Sequence, residues 1–202
     1  GESFMNTIDH KYWPQIKVGY YNGACLLPLG EEVKLKGMKD KPLDDELKAL
    51  GEELQKRLPK DVIQYELSPR SLQLSIEEVQ SASDAEVLYA TCCEIIWDKH
   101  LQGIRVWRSS HSMDIVVYRE VGKLRVIEDS AHTLCIGDYG NVEGNDYELL
   151  TTKCSLSVDR VSKNAECCWN IAPSGMKGLD ATLYYLSRLT VTDGVIKCKF
   201  SV

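Results

Sequence analysis

The sequence lacks several features that would each have set its class. No apolar run approaches the ~20 residues a membrane-spanning helix needs, so neither a transmembrane segment nor a membrane partner is expected. There is no basic excess. Lys and Arg number 24 against 30 Asp and Glu, a net charge of -6, which argues against nucleic acid as the main partner. No Cys-x-x-Cys occurs, so the eight cysteines offer no zinc-knuckle or redox spacing. The first residues, GESFMNTIDHKYW, show no charged-then-apolar signal pattern. Neither G-x-S-x-G nor H-E-x-x-H is present, and the four histidines (His10, His100, His111, His132) are scattered along the chain. The cysteines come as two adjacent pairs (Cys92-Cys93, Cys167-Cys168) and four wide singles. That pattern reads as buried free thiols in a reducing compartment, so a cytoplasmic location is expected.

What is there is ordinary globular material. The chain has 202 residues, 44% apolar and 27% charged. A compact chain of that length hides roughly 70% of its unfolded surface, so no staple is required.

The periodicities give an order of elements. Ile16–Ala24 (IKVGYYNGA) reads as a strand ending in an Asn-Gly turn. Pro42–Leu58 reads as a helix, with Leu43, Leu47, Leu50, Leu54 and Leu58 on one face and acids in the first turn. Strands are expected at Val62–Leu67 and Leu72–Ile76, the second with strict alternation. Ser83 with Glu86 predicts a capping box opening a helix to about Lys99. Strands at Ile104–Trp107 and Met113–Tyr118 complete an α+β module. The second half reads as a short helix at Lys123–Ser130, an apolar strand at Thr133–Ile136, and a polar loop GDYGNVEGND. A strand at Leu156–Val158 follows, then a helix at Gly178–Leu186 with Leu179, Leu183 and Leu186 on one side. An Asp193-Gly194 hairpin ends the chain. Strands alternating with helices point to an α/β sheet in this half.

One constellation carries chemistry. Asp138 follows an apolar strand, and Asn145-Asp146 returns at the end of the loop. Ligands in open α/β sheets bind beyond the carboxyl ends of strands. Paired carboxylates call for a compensating cation, and oxygen-only ligands suit Mg²⁺. Lys123, upstream at a helix start, is placed to offset a phosphate charge. The same residues also fit a plain Gly-Asp turn, an Asn-Asp helix cap and a solvated lysine.

CIGDYGNVEGNDYELL, SLSVDRVS and CWNIAPSGMKGLDATLYYL resemble the C-terminal end of haloacid dehalogenase superfamily phosphatases, of the type-IIB group. GIRVWRSSHSMDIV and the VGKL around Lys123 resemble the end of that group's α/β cap and its third-motif lysine. KVGYYNGA resembles the core strand before the cap. The resemblance implies an α/β, Rossmann-type partial core (1–30 and 118–202) with an inserted α+β cap (31–117). It implies a Mg²⁺-dependent phosphohydrolase acting on small phosphorylated metabolites, phosphosugars among them. It makes Lys123 the phosphate-stabilising lysine, Asp138 and Asp146 the metal-motif carboxylates, and Asn145 the residue orienting their loop. Asn22, Arg108, Ser110 and His111 are the candidates for substrate contact.

The departures from the family bear on activity. No Asp-x-Asp-x-Thr or Asp-x-Asp-x-Ser occurs, so the attacking carboxylate is missing, and so is the second-motif Ser or Thr before Gly-Arg. The resemblance places the chain's start just after those motifs. The stretch from Lys123 to Asp138 is short, and the gap from Asp138 to Asp146 is wide. The isolated chain is therefore expected to be inactive. A sheet without its central strand would need another segment or a second copy to cover its edges. The alternative reading is a non-catalytic binding or structural domain of the same fold.

Overall fold

A computed structural model describes residues 5, 7–32, 44–58, 65–67, 73–77, 81–108, 112–117 and 121–199. The chain is a mixed helix and strand protein that divides into two compact units, Gly1–Val126 and Ile127–Val202.

In the first unit, β1 (Lys17–Tyr20) pairs antiparallel with β2 (Cys25–Pro28). The expected Asn-Gly turn is there, but the strand before it belongs to this hairpin. Helix α1 (Asp45–Arg57) begins at Asp44, whose Oδ1 accepts from the N–H groups of Glu46 and Leu47 at 2.9 and 3.4 Å. Those are two of the donors a helix start leaves orphaned. Leu47, Leu50 and Leu54 are fully buried, as the leucine spacing predicts. Each contributes about 1.5–3 kcal/mol through removal from water. Leu43 lies outside the described residues.

Helix α2 (Ala82–Asp98) starts two residues earlier than Ser83 and Glu86 predict. Ser81 is the cap. Its Oγ accepts from Asp84 N–H at 3.1 Å and donates to the Asp84 carboxylate at 2.7 Å. Ser81 and Asp84 thus take the part expected of Ser83 and Glu86.

Strands β3 (Tyr65–Leu67), β4 (Gln73–Glu77), β5 (Ile104–Arg108) and β6 (Ser112–Val117) form an antiparallel sheet in the order β3-β4-β6-β5. Alternation sends Ile104, Val106, Met113, Ile115 and Val117 into one core with the buried leucines of α1 and with Leu88, Cys92 and Ile95 of α2. The other face carries Trp107 and Val116, which pack with Tyr21, Ala24 and Val121. Lys123–Val126 is one turn of 3₁₀ helix rather than a helix to Ser130.

In the second unit, β7 (Cys135–Tyr139) and β8 (Ser155–Arg160) pair in parallel. The expected strand thus extends past Gly137 and includes Asp138. A short helix α3 (Tyr147–Leu150) follows the loop. Helix α4 (Gly178–Leu186) packs on β8 through Ala181 and Tyr185, both fully buried. The predicted leucine face exists but points outward, with Leu179 72% exposed. Tyr185 decides this. Its hydroxyl donates to Ser157 O at 2.9 Å and accepts from the N–H groups of Ile171 and Ala172, both at 3.1 Å. The helix is held by that polar hub, and the leucines fall on the opposite side. A hairpin of β9 (Leu189–Thr192) and β10 (Val195–Cys198) ends the described chain, turning at Asp193-Gly194 as predicted.

The cysteines are free. Cys92, Cys135, Cys167 and Cys168 are buried as expected, whereas Cys154 and Cys198 are exposed. No helix among the described residues is long and apolar enough to cross a membrane.

Candidate functional site

The second unit builds its site at the end of β7. The ladder runs Cys135 to Ser155, Ile136 to Leu156 and Gly137 to Ser157. It then slips, so that Tyr139 meets Arg160. Asp138 sits at the slip, and such irregularities re-aim side chains at sheet ends. Its backbone N–H needs another acceptor. Asp146 supplies it: Oδ2 accepts from Asp138 N–H at 2.9 Å and from Tyr139 N–H at 3.3 Å. Asp146 is 4% exposed, while Asp138 is exposed.

The loop between them is tightly folded because three of its flanking or internal residues, Gly137, Gly140 and Gly144, lack a side chain. A Cβ on Gly137 would lie 2.7 Å from Asp146 Oδ2, closer than real contacts allow. A Cβ on Gly144 would strike the Tyr139 carbonyl. Gly144 N–H donates to Asn141 O at 2.7 Å, and Tyr147 N–H donates to Gly144 O at 3.1 Å. On the other side, Gly140 N–H donates to Arg160 O at 3.1 Å, and the Arg160 guanidinium lies 4.0 Å from the centre of the Tyr139 ring. Cys168 sits under Gly140, and burial pushes its thiol up.

Two oxygens in this loop stand out. Asn141 Oδ1 and Asn145 Oδ1 are buried and have no hydrogen-bond partner. The amide nitrogen of Asn141 is used, donating to Glu143 Oε1 at 3.1 Å. Buried acceptors are nearly always satisfied, so two donor-less oxygens in the loop that follows the exposed Asp138 are exceptions. The set is oxygen only. Among the described residues no group of three or more His, Cys, Asp or Glu is placed to hold a metal. A hard ion that takes one carboxylate, amide oxygens and water fits this donor set.

The structure places Asp138 near the end of β7 and Asn145 and Asp146 at the far end of the loop that follows, with Asp146 returning to the Asp138 N–H. It describes Lys123, Asn22 and Arg108 in the other unit. There Asn22 and Tyr21 both adopt left-handed backbone (φ 53), and Gly23 follows at φ 83. Asn22 Nδ2 donates to Asp114 Oδ2 at 3.0 Å, and Asn22 O accepts from Gly122 N–H at 2.8 Å. Lys123 follows directly and is half-buried. Arg108 is elsewhere. It shares the helix-covered face of the sheet with Ile104 and Val106, donates to Glu86 at 2.9 Å and lies 5.9 Å from the centre of the Tyr89 ring. Asn22 and Arg108 are therefore on opposite faces. Ser110 and His111 lie outside the described residues.

Asp114, Asn141 and the register slip were missed from the sequence. Asp114 had a signal: in SMDIVV it is the charged residue in an apolar strand. The slip had none.

No family model matches the sequence, and no curated protein matches it. Solved structures do. A truncated, IMP-bound Plasmodium falciparum IMP-nucleotidase is similar with TM-score 0.48 and 17% identity, over 79% of this chain and 48% of that one. A second structure of that enzyme gives TM-score 0.41 and 14% identity, over 77% of this chain and 40% of that one. Aspergillus fumigatus trehalose-6-phosphate phosphatase gives TM-score 0.42 and 12% identity, over 85% of this chain and 70% of that one. The chain spans less than half the length of the IMP-nucleotidase structures it matches.

Proposed function

We propose that this chain is the cap and distal core of a haloacid dehalogenase-like, Mg²⁺-dependent phosphohydrolase, with a small phosphorylated metabolite as its substrate. The observation that carries the reading is the end of β7 with the loop after it. It combines an exposed carboxylate at Asp138 with two buried, donor-less amide oxygens, and a second carboxylate, Asp146, holds the loop shut.

Asp138 is the residue that would hold the ion, with Asn141 and Asn145 nearest in the sequence to share its shell. A bound Mg²⁺ supplies Lewis-acid polarisation of a phosphoryl oxygen. Asp146 does not spend its Oδ2 on a ligand, because two backbone N–H groups occupy it. Its part is to fix where Asp138 points. Lys123 carries the positive charge that the resemblance assigns to the phosphate. The sequence contains no Asp-x-Asp, so the attacking carboxylate of this chemistry is not among its residues. That same fact favours the second reading, a binding domain that keeps the ion site without turnover.

Mn²⁺ in place of Mg²⁺ tests the site directly. Paramagnetic broadening of amide signals is expected to centre on residues 138–146 and to vanish in Asp138→Asn. Broadening centred elsewhere would overturn the reading. Phosphomonoester hydrolysis by the chain alone is expected to stay at background, and Mg²⁺-dependent turnover lost in Asp138→Asn would remove the claim that the nucleophile is missing.

A further inference from the structure

We propose that Asp114 is a positioning residue for Lys123, acting through Asn22. The inference rests on the reading of Lys123 as the phosphate-binding lysine, but its structural part stands on contacts within one unit.

The relay has three links. Asp114 Oδ2 accepts from Asn22 Nδ2 at 3.0 Å. Asn22 O accepts from Gly122 N–H at 2.8 Å. Gly122 is bonded to Lys123, and the Lys123 backbone passes close to Gly23: a Cβ there would lie 3.8 Å from Lys123 Cα and would strike Gly122 O. The turn and the lysine's backbone are thus in van der Waals register, with no space for a side chain between them.

The turn itself is costly. Tyr21 and Asn22 both hold left-handed backbone at φ 53. Non-glycine residues adopt that conformation only where their surroundings over-determine it. Apolar packing of Tyr21 and Ala24 against Trp107, Val116 and Val121 supplies part of the hold. The Asn22–Asp114 hydrogen bond supplies the polar part, and a carboxylate acceptor makes it charge-assisted. Asp114 reaches the turn because alternation on β6 puts it on the same face as Val116, away from the helices. Its backbone neighbours across the two ladders are Ser75 and Trp107. The side chain therefore comes from a strand anchored in the sheet, which is a rigid base from which to aim a loop.

Three variants separate the outcomes: Asp114→Leu (no acceptor), Asp114→Asn (acceptor kept, charge lost) and Asn22→Ala (the same bond broken from the other side). Two readouts are needed. The first is the Lys123 side-chain Cε–Hε NMR signal, assigned with Lys123→Arg. The second is the affinity for inorganic phosphate. Asp114→Leu and Asn22→Ala are expected to shift the Lys123 signal alike and weaken phosphate roughly tenfold. Asp114→Asn is expected to retain most of both, because it still accepts from Asn22. If the Lys123 signal is unmoved in folded Asp114→Leu and Asn22→Ala, the inference is wrong whatever phosphate does. If the signal moves but Lys123→Ala leaves phosphate affinity unchanged, the relay stands and the phosphate reading fails. Should Asp114→Leu not fold, Asn22→Ala alone decides by the same signal.

Discussion

Asp146 accepts, at 2.9 Å, the backbone N–H of Asp138, the residue at which the β7–β8 register slips. Asp146 is thus tied to the backbone of the strand that carries Asp138. One carboxylate fills a gap in the hydrogen-bond ladder so that the other can face outward. Repulsion between them is offset locally, because Asp146 Oδ2 is already engaged by two N–H dipoles.

Removing that acceptor should be costly. Asp146→Ala leaves the Asp138 and Tyr139 N–H groups without a partner at a site only 4% exposed. A loss of about 1–3 kcal/mol is expected in urea unfolding. Asp146→Asn keeps an oxygen in place and should recover more than half of it. Equal losses in the two variants would mean that charge, not the acceptor, holds the loop.

The orientation of α4 is set by one hydroxyl. Tyr185→Phe strips the hub shared by Ser157, Ile171 and Ala172. It is expected to cost about 1–3 kcal/mol, since buried polar groups are left unpaired. Leu183→Gln, on the outward face at 55% exposure, should stay within about 0.5 kcal/mol. Paired melting curves check both, and a large loss in the leucine variant would show that the outward face is covered.

The thiols should separate by burial. Cys92 is fully buried, and burial with Cys93 beside it pushes its thiol up to about 12. Its thiolate is therefore scarce at neutral pH. Cys154 and Cys198 are exposed. Brief alkylation of the native chain followed by peptide mapping should label those two first and Cys92 only after denaturation. Early labelling of Cys92 would mean that the α1–α2 core opens locally.

Acid should weaken the first unit through Glu53. The hydrogen bond from Arg57 comes first among the causes that hold this carboxyl below its ordinary value, and Lys99 and Lys56 add to it. A group with a depressed folded-state pKa stabilises above its unfolded pKa and loses that contribution as pH falls through the folded one. The Glu53→Gln variant should therefore show a shallower fall in stability below about pH 4.3 than the parent chain. Thermal melts between neutral and acid pH read this directly, and parallel acid limbs would exclude Glu53 as a contributor.

The sequence by itself determined what depends on local periodicity and turn chemistry. The leucine spacing of α1, the alternation of β4 to β6 and the Asn-Gly and Asp-Gly turns are local features that neighbours reinforce. So is the placement of Asp138 and Asp146 at two ends of one loop. Tertiary structure decided what depends on residues far apart in the chain. The α4 leucines face outward because Tyr185 finds its partners on β8 and in the 170–172 loop. Arg108 turns to α2 because Glu86 and Tyr89 wait there. Asp114 meets Asn22 across 92 positions of sequence. The slip between β7 and β8 gives Asp146 its task, and no run of residue types announces it. A hydrogen bond between distant residues is fixed only when the backbone has brought its donor and acceptor within reach.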